Sequence, residues 1–121
     1  MVDKVLITIR EQDVAPRFDL ATEVLIVTLG TRGEVREQKT MVLPHASPED
    51  LCQQILNEEV QTVICGGIEE EFHQYLTWKK RRVLDSVMGP WERALDRYRQ
   101  GGLQAGAILY ERVGTGYETD R

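Results

Sequence analysis

Residues 62–67, Thr-Val-Ile-Cys-Gly-Gly, constrain the fold of this chain more than any other stretch. A short β-branched run ends in a cysteine, two glycines follow, and an acidic helix start comes next. Strand, glycine turn and helix N-terminus in that order are how α/β domains build ligand sites at the carboxyl ends of their strands. A thiol at such an edge adds metal or redox chemistry to what the turn can do. The plainer alternative is a tight turn with a small core residue before it.

The rest of the chain supplies the partners such a strand needs. Lys4–Ile9 and Glu23–Leu29 are short, β-branched and apolar, and both read as buried strands. Residues 10–17 between them are polar, contain Asp13 and Pro16, and read as a loop. Gly30-Thr31-Arg32-Gly33 is a hairpin turn leading into a third strand, Glu34–Val42, which alternates more and lies towards the sheet edge. Pro44–Pro48 is a loop with Ser47 as N-cap and Pro48 at the first helical position. The helix that follows carries Leu51, Cys52, Ile55 and Leu56 on one apolar stripe and ends near Glu59. Thr62–Cys65 is the fourth strand and Glu69–Trp78 the second helix, with Phe72 and Leu76 facing inward. Arg82–Val87 is a short fifth strand, and Trp91–Gln100 a third helix closed by Gly101-Gly102. The order is β-β-β-α-β-α-β-α, which implies an α/β domain with a five-stranded mixed sheet. Residues 1–103 form a single domain in this reading, and residues 104–121 a carboxyl-terminal extension. Ala107–Tyr110 has enough apolar character to pack, whereas Gly114 to Arg121 reads as a frayed tail.

Composition narrows the function classes. A chain of 121 residues is long enough to bury a core without staples. Its formal net charge of −5 argues against nucleic acid as a partner, and the basic run Lys79–Arg82 reads as a solvated turn. Two cysteines without a CxxC pair make neither a disulfide framework nor a zinc ribbon. There is no secretory signal pattern and no apolar run of membrane-spanning length, so a reducing cytoplasm is the expected setting, with no membrane partner.

The element order resembles the ribonuclease-H-like fold. A nuclease of that type needs carboxylates on adjacent strands to hold two metal ions. The centre of the first strand is Leu6-Ile7-Thr8, and Asp3 lies at the wrong end. The three acids Glu69-Glu70-Glu71 favour a helix dipole but repel a phosphate near Gly66-Gly67, and no P-loop signature is present. Cys52 lies on the apolar stripe of its helix and reads as core. His73 falls on the exposed flank of the second helix. Neither histidine has an obvious carboxylate to orient it, so no catalytic triad assembles, and the chain is expected to bind rather than catalyse. His45, on a loop, and Cys65, at a strand end, are the two side chains with the chemistry to hold a metal or a metal–sulfur cluster.

Three segments resemble one family. Ala15-Pro16-Arg17-Phe18-Asp19-Leu20-Ala21-Thr22 before the strand Val24–Val27, the run Val63-Ile64-Cys65-Gly66-Gly67-Ile68, and Val83–Leu103 are similar to the dinitrogenase iron–molybdenum cofactor biosynthesis family. These are the NifX-like proteins, also found as the carboxyl-terminal domain of NifB. The resemblance implies a three-layer ribonuclease-H-like fold without nuclease activity. It implies binding, storage or transfer of an iron–molybdenum or related metal–sulfur cluster, with cluster donor and acceptor proteins as partners. On this chain it points to His45 and Cys65 as metal ligands, to Gly66 and Gly67 as backbone that approaches the cargo, and to Arg17 as the nearby cation. The family's Phe-Gly-Arg is Phe18-Asp19-Leu20 here, and the glycine-rich segment before the first helix is Pro44-His45-Ala46-Ser47-Pro48. The alternative function is a metal-free protein–protein interaction module, using Glu69–Glu71, Lys79–Arg82 and Trp78 as its surface.

Overall fold

The computed structural model describes residues 3–110. Its elements in chain order are β1 (Asp3–Arg10), β2 (Asp13–Val14), a 3-10 turn (Phe18–Leu20), β3 (Glu23–Leu29), β4 (Val35–Val42), α1 (Pro48–Asn57), β5 (Thr62–Ile64), α2 (Glu70–Trp78), β6 (Arg82–Leu84) and α3 (Trp91–Arg99). They form one mixed sheet in the spatial order β4-β3-β1-β5-β6, with β2 paired to β1 at its end. β1 is antiparallel to β3 from Asp3↔Leu29 to Ile9↔Glu23 and parallel to β5 from Val5↔Thr62 to Ile7↔Ile64. β5 is parallel to β6.

Side chains alternate across a strand, so a strand that is apolar throughout must be covered on both faces. β1 shows this directly. Leu6 faces a core cluster with Val24, Ile26, Leu51, Ile55, Phe72 and Leu76, which belongs to α1 and α2. Val5, Ile7 and Ile9 face a second cluster with Leu25, Val27, Leu84, Ala94 and Leu95, which belongs to α3. Each large side chain fully buried in this way stabilises the fold by roughly 1.5–3 kcal/mol. β4 differs, being exposed along almost its whole length. Its Arg36, Glu37 and Lys39 discourage pairing of that free edge with another chain.

Ser47 caps α1 as its sequence position predicts, accepting a hydrogen bond from the Asp50 amide at 3.2 Å. Several boundaries shift from the sequence reading, most by a single residue (the fourth strand ends at Ile64 rather than Cys65), and three differences bear on the loops. Residues 10–17 are not all loop: β2 folds back on β1 through Ile9↔Val14 and Arg10↔Asp13, so the sheet has six strands rather than five. Glu11 takes the left-handed conformation (φ 58°) that closes this hairpin, a place more often filled by glycine or asparagine. The strand expected over Arg82–Val87 stops at Leu84, because Ser86 is left-handed (φ 59°) and cannot continue an extended run. α2 starts at Glu70 rather than Glu69, which serves as its extended N-cap.

Beyond α3 the chain returns to the domain. Met88 N donates to Ala107 O at 2.9 Å, Leu109 N donates to Met88 O at 2.8 Å, and both Leu103 and Leu109 join the second core. The segment Gly114 to Arg121 lies outside the described residues. No helix among the described residues is long and apolar enough to cross a membrane.

Candidate functional site

Because β1, β5 and β6 run parallel, the loops after them open on one edge of the sheet. Backbone hydrogen bonds stitch those loops together. Gly67 N donates to Pro16 O at 2.8 Å, and Phe18 N donates to Gly67 O at 2.8 Å. Ser86 N donates to Gly66 O at 2.9 Å, Val87 N to Cys65 O at 3.0 Å, and Val14 N to Gly89 O at 2.9 Å. Phe18, wholly buried, anchors the first loop, its ring 6.3 Å from that of Phe72. Between the loops lies a cleft of about 290 Å³ bordered by Pro16, Gly66, Gly67, Ser86, Gly89 and Tyr110.

The glycine pair has a definite geometric cause. A Cβ on Gly66 would overlap the carbonyl oxygens of Ala15 and Pro16, so only glycine lets the first loop cross this close. At Gly67 a Cβ would sit 3.6 Å from Pro16 O, an ordinary contact. Ser86 is a non-glycine residue held left-handed at the mouth of the same cleft, a conformation of the kind that concentrates at functional edges.

Arg17 and Gly67 lie side by side, their backbones joined through an isolated parallel bridge. The Arg17 guanidinium is nevertheless engaged: its Nε and Nη2 donate to Asp19 Oδ1 and Oδ2 at 3.0 and 2.6 Å. That bidentate pair, first through its hydrogen bond and then through its charge, raises the Arg17 pKa. Cys65 has no exposed surface and belongs to the core shared with Phe18, Leu51 and Phe72. Desolvation, followed by the negative charge of Asp85, pushes its pKa up, so the sulfur stays a protonated thiol at neutral pH. His45 lies exposed on the loop before α1. Among the described residues no group of three or more His, Cys, Asp and Glu side chains is arranged to hold a metal ion.

The structure adds residues that the sequence reading did not single out. His73 does have a carboxylate beside it, Asp85 Oδ1 at 3.9 Å from Nε2, an ion pair when the imidazole is protonated. Ser86 Oγ donates to the other oxygen, Asp85 Oδ2, at 3.2 Å. Asp85 thus stands between serine and histidine, whereas nucleophilic catalysis needs the histidine between the other two. Thr8 is wholly buried, and its hydroxyl has no hydrogen-bond partner among the described residues. It follows Ile7 on β1 as Cys65 follows Ile64 on β5, and Ile7 and Ile64 are register partners. Only the strand pairing brings these positions together. A period-two pattern in β1 and a strand ending at Ile64 were the available hints.

No protein-family model matches the chain, and no curated protein matches it. Solved structures do. The protein PH0822 superposes with a TM-score of 0.76 at 18% identity, over 84% of this chain and 93% of its own. A "putative dinitrogenase" from Methanocaldococcus jannaschii superposes at 0.71 with 22% identity, over 86% of this chain and 94% of its own. A "putative NifB protein" from Thermotoga superposes at 0.64 with 18% identity, over 93% of this chain and 99% of its own. The proteins that this chain resembles in three dimensions thus include ones named for dinitrogenase and NifB, the group its sequence segments resemble, and what it shares with them is the fold.

Proposed function

We propose that this chain is a cytoplasmic binding protein of the nitrogenase-cofactor accessory kind, built on a ribonuclease-H-like fold that carries no catalytic centre. In this reading it receives an iron–molybdenum or related metal–sulfur cluster at the carboxyl edge of β1, β5 and β6, and passes it between donor and acceptor proteins. The observation that carries the proposal is the cleft bordered by Gly66 and Gly67, where three loops bring backbone to the surface of a rigid sheet. The likeness to proteins named for dinitrogenase and NifB supports the choice of cargo. The donor set refines how cargo would be held. Cys65 is enclosed, and Arg17 is tied to Asp19. His45 is the exposed candidate ligand, and the rest of the grip falls to loop backbone and to contacts with the partner proteins.

A second reading is favoured by a specific feature. Met88, Ile108 and Tyr110 are 52%, 70% and 50% exposed around the same cleft. Trp78 is 71% exposed with Lys79 Nζ 4.6 Å from its ring centre. Exposed aromatic and apolar side chains of this kind suit a metal-free protein–protein interaction module. Anaerobic reconstitution with iron, sulfide and molybdate separates the two, read by bound metal and the visible spectrum. The cargo reading expects stoichiometric metal that is lost in His45→Ala and kept in Cys65→Ser. An intact protein that retains no metal overturns it and leaves the interaction module.

A further inference from the structure

A second concavity lies at the opposite end of the sheet from the cleft described above. It measures about 660 Å³, within the range of small-molecule sites. Asp3 and Thr62, the first residues of β1 and β5, form its floor together with Gln61. The turn Gly30–Gly33 and the chain after α3, Gly101 and Leu103, form its sides.

Side chains from three elements make a fixed polar wall there. Tyr98 Oη donates to Asp3 Oδ2 at 2.5 Å and lies 2.9 Å from Thr62 Oγ1. With the phenol proton directed at Asp3, the Thr62 hydroxyl donates to the Tyr98 oxygen. Thr62 is buried, so both partners are held from behind. Arg99 ties the turn to α3, its Nε donating to Gly33 O at 2.6 Å, while its Nη1 lies 3.5 Å from Asp96 Oδ1. Gln61 Oε1 accepts from the Lys4 amide at 3.1 Å, which leaves its amide NH2 as a donor. Arg82 is exposed, and among the described residues its guanidinium has no hydrogen-bond or ion-pair partner. Arg99 is thus already engaged, and Asp3 is held by Tyr98, so among the described lining residues the Arg82 guanidinium is the cation left to meet a ligand. The cavity thus presents one uncommitted guanidinium in a chain whose formal net charge is −5. A planar guanidinium fork matches the oxygens of a carboxylate or phosphate in a bidentate manner.

We propose that this amino-edge cavity binds a small organic anion, with Arg82 gripping its carboxylate or phosphate oxygens and Gln61 and Thr31 supplying further donors. The Asp3–Tyr98–Thr62 wall keeps the pocket open and rules out a second anionic group on that side, since Asp3 repels it. This site is independent of the cargo cleft, so either can fail without the other.

The test is a titration of the whole isotope-labelled chain followed by amide NMR shifts, with citrate, adenosine monophosphate and inorganic phosphate as separate probes. The expected result is saturable shifts at Thr31, Gln61 and Arg82. A response to citrate alone identifies a carboxylate ligand, and a response to either phosphate probe a phosphorylated one. Arg82→Gln, at an exposed position, should weaken binding by at least about tenfold. Met88→Ala at the other edge should leave affinity unchanged. The proposal is overturned if no probe gives saturable shifts, if the shifts gather at the carboxyl edge, or if Arg82→Gln binds as tightly as the natural sequence.

Discussion

Tyr98 and Cys65 show how burial leads in setting side-chain chemistry here. Desolvation first, and then the hydrogen bond to Asp3, raise the Tyr98 pKa from 10.0 to about 12. A group whose native pKa lies above its unfolded value stabilises the fold below the unfolded pKa and loses that contribution as pH rises through the native one. The advantage of the natural chain over Tyr98→Phe should therefore shrink between pH 10 and about 12. Urea unfolding of both proteins across that window measures it, and a gap that stays constant would count against the buried phenol–carboxylate bond. Cys65 follows the same physics with a different outcome. Its enclosure keeps the thiol protonated, so what looks in sequence like a reactive edge cysteine behaves in the fold as a small core residue.

At the scale of elements, the turn between β5 and α2 organises the carboxyl edge. Gly66 lets the loop after β2 pass directly over it, while Gly67 pairs with that loop on both its amide and its carbonyl. The two glycines therefore respond differently to a methyl group. Gly66→Ala forces backbone apart and should destabilise the domain by about 1–3 kcal/mol, the range for overpacking a tight contact. Gly67→Ala meets only an ordinary contact and should cost clearly less. Equal shifts in their urea midpoints would refute this account. The cap at Ser47, the glycine turn and the apolar stripe of α1 were all legible in sequence, because each depends on residues within one turn of chain. The hairpin of β2 was not, because Glu11 occupies a left-handed position that sequence pattern assigns to other residue types. The ion pair of His73 with Asp85 was hidden for another reason: the two lie on α2 and after β6, and only packing joins them.

At the scale of the molecule, the sheet order β4-β3-β1-β5-β6 puts β1 in the middle, bonded on both sides, with a core on each face. β4 and β6 each have one neighbour. Native-state amide exchange should therefore be slowest in β1 and its partners β3 and β5, and fastest among the long strands in β4. Greater protection in β4 than in β1 would be incompatible with this order. The same topology separates two edges of opposite character. The carboxyl edge is glycine-lined with an apolar rim, and the amino edge is polar and presents the Arg82 guanidinium.

By itself the sequence determined the class of the fold, five of the six strands, the three helices and their approximate extents. Those features follow from local pattern: β-branched runs, 3.6-residue stripes, caps and glycine turns. It also carried a resemblance to a group after which some of the three-dimensional neighbours are named. The tertiary structure alone decided how each candidate group is placed and partnered. It enclosed Cys65, committed Arg17 to Asp19, left His45 in solvent, and joined Asp3 to Tyr98 across 95 residues of chain. Burial and partnership arise from contacts between distant segments, and no local pattern encodes them.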